Sequence, residues 1–201
     1  MRRLLISLSL VLIIGIVRGS CQCVELDWSR PETRTSPAGK WKVVVGKNQG
    51  GDHATTVSVE LKTGGSTTFP LFRSACLLWN QDESRLAVTD MYSADTYRVL
   101  LFEYGQVRKR HREIDDLIKE RETKRISPGD RQVYYFPRAE KWDGDDLVIA
   151  VGLVTAPKEG GSFTPHCNGY ALKTSSQLVL QAELPETQLK EKYGISCQLF
   201  P

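Results

Sequence analysis

The chain has 201 residues, of which 40% are hydrophobic, 25% charged and 8% aromatic, the balance of an ordinary globular protein. Arg2, Arg3 and Arg18 lie in the first twenty residues, where there is no acid, and without them 27 − 3 = 24 basic residues face 24 acidic ones. The rest of the chain therefore lacks the positive field that nucleic acids and anionic lipids select, and nucleic acid is not expected as a partner.

Residues 1–20 have the pattern of an export signal. Arg2 and Arg3 follow the initial methionine, and residues 4–17 are apolar except for two serines and a glycine. A membrane-spanning helix needs about 20 apolar residues, so this stretch is too short to be one, and no later segment is long enough. The sequence predicts a signal peptide over residues 1–20 and no transmembrane helix.

Two kinds of processing fit the residues that follow. Val17 and Gly19 are small enough for ordinary cleavage before Ser20, which would release the protein. Alternatively, residues 19–21 resemble the end of a bacterial lipobox, in which Cys21 is the lipidation candidate. The sequence departs from that pattern at residue 18, where an arginine replaces the usual apolar residue. We expect a secreted or periplasmic protein, either released or anchored to the membrane through Cys21.

The cysteine count bears on the same choice. Five cysteines leave one thiol without an intramolecular partner, whereas lipidation of Cys21 would leave four for two disulfides. Four cysteines allow three pairings and the sequence does not choose among them, although a Cys167–Cys197 bond would tie the final strands together. Cys76 alternatively reads as a buried free thiol in an apolar run. The disulfide candidates are Cys23, Cys76, Cys167 and Cys197.

The mature chain divides into a tether and one domain. Residues 21–39 contain two prolines and many short polar residues, which predicts a flexible tether. Residues 40–201 form a domain of about 160 residues, enough to bury roughly two-thirds of its unfolded surface around one core. A short helical turn is expected after Pro185, ended by Gly194.

Strand signals dominate the domain. Runs of apolar and β-branched residues end at Gly, Asn, Asp, Pro or Ser, and turn residues at 62–66 and 173–176 predict antiparallel hairpins. The fold class is therefore mostly β, with antiparallel blade-like sheets or a β-sandwich and one inserted surface helix. The nine predicted strands cover residues 41–45, 56–61, 75–79, 85–89, 97–102, 132–136, 147–154, 170–173 and 177–181.

One segment, residues 110–124, predicts a surface helix laid on the sheet. Ile114, Leu117, Ile118 and Arg121 recur at helical spacing on the face expected to pack inward. The opposite, solvent-facing side is expected to carry Glu113, Asp115, Asp116, Lys119, Glu120 and Glu122.

Three segments share a turn that leads into an apolar strand. They are residues 36–44, 80–88 and 142–150, and the first two begin 44 residues apart. These units resemble the hairpins of TolB-type and WD40-like propeller blades. A closed ring typically needs about four to eight blades, so three units predict a blade-like pair of packed sheets, or a β-sandwich, rather than a propeller. Ordinary hairpin chemistry is the alternative explanation of the likeness.

Two charged motifs each have a functional and a structural interpretation. The basic run at residues 108–112 could bind an anion, but acids follow at once and no aromatic residues are interleaved, which favours a solvated loop. The acidic turn at residues 143–146 offers oxygen ligands to a hard cation but lacks the remaining ligands of a calcium loop, which favours a hairpin turn. We expect no metal site and no cofactor.

Loops carry the candidate ligand-binding residues. Asp90 and Asp95 flank a predicted loop between two strands, where their carboxylates could face a ligand. The long predicted loop over residues 155–168 contains Phe163, an apolar anchor among glycines, and His166. A disulfide-pinned connector is the structural interpretation of that loop.

These observations favour an exported cell-envelope binding or interaction protein without catalytic activity, whose partner is an unknown envelope protein or polymer. The sequence contains no nucleophile elbow, HExxH helix or phosphate-binding loop. One alternative is a small extracytoplasmic hydrolase in which Asp90, Asp95 or Asp143 acts with a histidine. A second alternative is a structural component of the envelope.

Overall fold

The computed structural model describes residues 23–27, 29–46, 55–92, 96–105, 111–125, 131–157, 164–174 and 178–196. The described residues form three antiparallel four-stranded sheets and two helices, which confirms the predicted mostly-β fold class. The predicted signal peptide, Cys21, Asp95, Phe163 and Cys197 lie outside the described residues.

The first sheet has the order β2-β3-β4-β5, formed by β2 (Glu32–Thr35), β3 (Trp41–Val45), β4 (Thr55–Leu61) and β5 (Ser66–Leu71). The central sheet has the order β1-β6-β7-β8, formed by β1 (Val24–Asp27), β6 (Ser74–Trp79), β7 (Arg85–Met91) and β8 (Tyr97–Glu103). The third sheet has the order β12-β11-β10-β9, formed by β9 (Arg131–Asp143), β10 (Asp146–Pro157), β11 (Thr164–Lys173) and β12 (Val179–Pro185). The helices are α1 (His111–Arg125) and α2 (Glu186–Tyr193).

The central sheet is buried on both faces, which explains why its strands are almost continuously apolar. Leu77 and Phe102 pack toward the first sheet, in a core that also contains Trp41 and Phe69. Leu78, next to Leu77 on β6, packs on the opposite side in the core shared with the third sheet and α1. The architecture is therefore a stack of three sheets.

The outer face of the third sheet is covered by α2. Leu189 of this helix packs against Val148 and Ala150 of β10. A Cβ atom at Gly169 of β11 would lie only 2.3 Å from the Leu189 side chain, so glycine is required for this close approach. The helix ends at Gly194 in the left-handed conformation, as its position in the sequence predicted.

Each of the three similar sequence units forms a hairpin in a different sheet: β2–β3, β6–β7 and β9–β10. The outer two hairpins each attach to the central one through a tryptophan. The Trp41 indole N–H donates to the Glu83 carbonyl at 2.7 Å, and the Trp142 indole N–H donates to the Leu78 carbonyl at 3.0 Å. The repeated units are thus the places where neighbouring sheets are joined.

The segment predicted as a tether is instead part of the sheets. β1 pairs with β6 and β2 pairs with β3. Both strands have four residues, lie at sheet edges and bury only Leu26 between them, so they carry almost no apolar signal in the sequence. β5 was not predicted either. It too is an edge strand, where its Pro70 is tolerated.

Most of the predicted loop over residues 155–168 is also strand. β10 continues to Pro157 and β11 begins at Thr164, with residues 158–163 outside the described chain. Pro165 suggested irregular structure, but β12 pairs with β11 only from Asn168 onward, so residues 164–167 form a sheet edge that accepts proline.

A disulfide closes the edge of the central sheet. Cys23, just before β1, is bonded to Cys76 of β6, with their Cα atoms 5.4 Å apart. Cys167 is also disulfide-bonded. The first bond holds the short edge strand β1 on β6, a pairing that the spacing of the cysteines had left open.

Candidate functional site

Asp90, a predicted ligand-binding residue, is buried in the core and bonded to an arginine. It lies inside β7 rather than at a loop tip, and its side chain is fully buried. The Arg98 guanidinium bonds the Asp90 Oδ2 atom through Nε at 2.7 Å and Nη2 at 2.6 Å. The same guanidinium lies 4.7 Å from the centroid of the Tyr92 ring. A buried carboxylate bonded in this way is a component of the core.

His166 is the other described candidate, and it lies exposed on β11 opposite Leu153 of β10. Asp143 pairs with Asp146 at the far end of the same sheet, seven positions along β10 from Leu153. At about 3.3 Å per residue, Asp143 and His166 are separated by roughly 23 Å, so they do not form an acid–base pair.

The acidic turn is a two-residue hairpin. Asp143 pairs with Asp146 across Gly144 and Asp145, and Gly144 has a φ of 61°. Asp145 forms an ion pair with Arg85 at 2.7 Å, which links this turn to the central sheet. Within the described ranges, no group of three or more His, Cys, Asp or Glu residues could hold a metal ion.

A different set of residues forms the candidate site. Between α1 and the third sheet lies a group of polar side chains that we call the α1 polar cluster. Its members come from four elements, α1, β9, β10 and β11. They are Asp115, Glu122, Tyr135, Thr155, Asn168 and Tyr170.

The cluster forms where α1 packs on β8 and also reaches the third sheet. Ile114 and Ile118 of the helix are fully buried against β8 and the third sheet, and Glu122 follows on the same stripe at the next four-residue step. Arg121 lies outside and bonds Glu183 of β12 at 2.9 Å. The predicted helix is confirmed, but its faces were wrong at Arg121, which is exposed, at Glu122, which is buried, and at Asp115, which is half-buried.

Glu122 can be buried because β11 supplies donors to its carboxylate. The Asn168 amide donates to the two carboxylate oxygens at 3.0 and 3.1 Å, and the Tyr170 hydroxyl donates to Oε1. Glu122 is 1% exposed and Tyr170 is fully buried. These bonds stabilise the negative charge and attach the C-terminal half of α1 to the third sheet.

Asp115 is the second carboxylate of the cluster. Burial raises its pKa from 3.8 to about 7, while Arg98, the Val99 amide and Lys119 act in the opposite direction. Its buried Oδ1 atom has no hydrogen-bond partner in the described structure. This carboxylate is therefore incompletely compensated.

Two hydroxyl groups of the sheet share this property. The Tyr135 hydroxyl and the Thr155 Oγ1 atom are buried and have no partner within the described ranges. Burial raises the pKa of Tyr135, and the negative charges of Asp115, Tyr170 and Glu122 raise it further, so the phenol lies among these groups. Tyr135 pairs with Leu153 of β10, and Thr155 lies two residues beyond Leu153, so both hydroxyls are on the same face of the sheet.

The cluster can accept hydrogen bonds from a polar ligand. It combines two carboxylates with two buried hydroxyls whose bonding capacity is unused. Asp115, Tyr135 and Asn168 are half-buried, and exposed His166 lies two residues before Asn168 on the same face of β11, so the cluster extends to the surface. Of the two predicted binding residues that the structure describes, Asp90 and His166, it is His166 that lies beside the cluster.

Sequence reasoning missed this cluster because acids on an amphipathic helix normally face solvent. The available signal was the four-residue spacing of Ile114, Ile118 and Glu122, which places the Glu122 carboxylate on the same side of the helix as the two buried isoleucines. The partners of that acid, Asn168 and Tyr170, belong to a strand 46 and 48 residues away in sequence. Nothing in the local sequence connects them.

Comparisons with known proteins give no relationship. No family model matches the chain, and no curated protein or solved structure is significantly similar to it. None of the helices in the described part of the chain has the length and apolar character of a membrane span.

Proposed function

We propose that the protein is an exported, non-catalytic binding protein of the bacterial cell envelope, and that its ligand contacts the α1 polar cluster. The observation that carries the proposal is that three of the buried side-chain atoms without a hydrogen-bond partner in the described residues belong to this cluster: Asp115 Oδ1, Tyr135 OH and Thr155 Oγ1. Buried polar groups in native proteins are nearly always bonded, so a group of exceptions on one surface calls for a partner.

Two features support export. Residues 1–20 have the pattern of a signal peptide, and Cys23 and Cys76 form a disulfide that joins β1 to β6. Disulfides of this kind persist in oxidising compartments such as the periplasm. A binding role also agrees with the position of the cluster, which lies on a rigid sheet and is covered by a single helix.

The binding proposal is tested with a panel of small polar compounds from separate classes: primary amines, sugars, carboxylic acids and dipeptides. We expect at least one class to raise the melting temperature of the mature protein, because a ligand that binds only the folded state stabilises it. The increase should disappear in Thr155→Val, which keeps the shape of the side chain, and persist in Thr155→Ser, which keeps the hydroxyl. No increase in any class, or an equal increase in both variants, would argue against the site.

The export proposal is tested by the intact mass of the protein recovered from cells, before and after reduction and alkylation. We expect a chain that begins at Ser20 or, with acyl chains added, at Cys21. The mass shift on reduction and alkylation counts the disulfide-bonded cysteines. A chain that still begins at Met1 would contradict export.

A further inference from the structure

We infer that Cys167 of β11 is bonded to Cys197, and that this second disulfide joins the end of the chain to the third sheet beside α2. Cys167 is disulfide-bonded, whereas Cys23 and Cys76, the other cysteines of the described residues, are bonded to each other. Within one chain, the partner of Cys167 is therefore either Cys21 or Cys197, which lie outside the described residues.

The face of β11 on which Cys167 lies is covered by α2. Side chains alternate between the two faces of a strand, and Cys167 shares its face with Gly169, over which Leu189 of α2 packs. Tyr170 lies on the other face, in the core shared with the central sheet. Cys167 therefore faces away from the central sheet and packs against the buried cluster under α2. That cluster consists of Val148, Ala150, Ala171, Leu184 and Leu189.

The residues after α2 return to the same cluster. Gly194 ends the helix in the left-handed conformation, with a φ of 70°, and the next amide, of Ile195, donates to the Leu189 carbonyl at 3.2 Å. Ile195 packs against the cluster that Cys167 also contacts. Cys197 follows two residues later, within about 7 Å of chain, and a disulfide joins Cα atoms about 4.4–6.8 Å apart. The chain therefore leaves α2 on the face of the sheet where the Cys167 sulfur lies.

Cys21 is less well placed to be the partner. It precedes Cys23 by two residues, so it lies within about 7 Å of a residue that is bonded to Cys76 in the central sheet. Stacked sheets lie about 10 Å apart, and Cys167 faces outward from the far side of the third sheet. A bond from Cys21 would have to pass around that sheet to reach its outer face.

The Cys167–Cys197 bond has two consequences. It closes a loop over residues 167–197 that contains β12 and α2, and it should stabilise the packing of the helix because it restricts the unfolded chain. Together with the Cys23–Cys76 bond it uses four of the five cysteines, which leaves Cys21 outside the intramolecular disulfides. This pairing agrees with the processing alternative in which Cys21 carries lipid.

The test is peptide mapping, without reduction, of the protein recovered from cells. Free thiols are alkylated first, and trypsin then places the cysteines in four peptides: the N-terminal one, which ends at Arg34, and residues 74–85, 159–173 and 193–201. We expect 159–173 to be linked to 193–201, and the N-terminal peptide to be linked to 74–85. A complex of 159–173 with the N-terminal peptide and 74–85 would assign Cys167 to Cys21 and overturn the inference, as would alkylation of Cys167.

Single substitutions provide an independent measurement. Cys197→Ser should open Cys167 to alkylation without reduction and lower the melting temperature by about 5–15 °C. Cys167→Ser and the double variant Cys167→Ser/Cys197→Ser should show the same decrease, because all three remove one bond. Cys21→Ser is the matched control, and it should leave Cys167 unreactive and the melting temperature unchanged. If Cys21→Ser exposes Cys167 instead, or if Cys197→Ser leaves Cys167 bonded, the inference fails.

Discussion

The buried carboxylates on the two faces of the central sheet differ in their hydrogen-bond partners. Facing the first sheet, Asp90 is bonded twice by Arg98, and Glu83 accepts hydrogen bonds from the Ser36 hydroxyl and the Ala38 amide. Facing the third sheet and α1, Asp115 Oδ1 and the hydroxyls of Tyr135 and Thr155 are buried and have no hydrogen-bond partner within the described residues. The difference between the faces concerns the carboxylates, since the Trp79 indole N–H on the first-sheet side is likewise buried without a partner in the described structure. A buried carboxylate bonded by a cation is typical of a structural group, whereas a carboxylate with a strongly perturbed pKa is a candidate for a functional site.

The largest expected effect comes from removing the cation that compensates Asp90. Arg98→Met should lower the free energy of unfolding by about 4 kcal/mol, because it leaves a buried carboxylate without its counter-ion. Chemical denaturation measures the loss. The double variant Asp90→Asn/Arg98→Met is the control and should recover most of it; an equal loss in both would mean that packing of the arginine, rather than charge, is responsible.

Glu83 tests the second compensated carboxylate. Glu83→Ala should cost about 3 kcal/mol, since the Ser36 hydroxyl and the Ala38 amide lose a charged acceptor between two hairpin turns. Urea denaturation would measure the change. Asp82→Ala removes an exposed carboxylate from the same turn, and we expect a smaller loss from it; comparable losses would show that the turn conformation matters more than the buried carboxylate.

Substitution of Asp115 should raise stability, whereas the substitutions of Arg98 and Glu83 lower it. The reason is that the pKa of Asp115 in the folded protein lies above its value in the unfolded chain. The stability that the protonated carboxyl contributes is complete below about pH 4 and is lost as the pH rises through about 7. Asp115→Asn, which cannot ionise, should therefore gain about 2 kcal/mol relative to the native protein between pH 5 and pH 8. Melting temperatures over this range measure the difference. The exposed Asp116→Asn is the control, and a flat difference for Asp115→Asn would contradict the contrast between the two faces.

The smallest expected effects compare how the outer sheets attach to the central one. Trp142→Phe removes the indole N–H bond to the Leu78 carbonyl, and Trp41→Phe removes the bond to the Glu83 carbonyl. Each should lower the free energy of unfolding by about 1 kcal/mol. Denaturant midpoints measured side by side would show whether the two attachments are equivalent. Losses that differ by several-fold would show that one sheet depends far more on its tryptophan.

The strands that the sequence predicted are those whose burial is evident from a local run of apolar residues. β3 was predicted with its observed bounds, and the β6, β7 and β8 strands were found because both faces of the central sheet are buried and their sequences are almost wholly apolar. The three missed strands, β1, β2 and β5, are all edge strands with few buried residues or a proline. Their conformation depends on a neighbour that is distant in sequence.

The sequence by itself determined the mostly-β class, the helix at α1, the short helix ended by Gly194 and the three hairpin units, because hydrophobic period and turn chemistry are local properties. Only the tertiary structure decided that each hairpin lies in a different sheet, that Cys23 joins Cys76, and that Asp90 is bonded by Arg98. It also brought Asp115 of the helix near Tyr135 of the sheet and Glu122 into contact with Asn168 and Tyr170, residues that no local pattern connects.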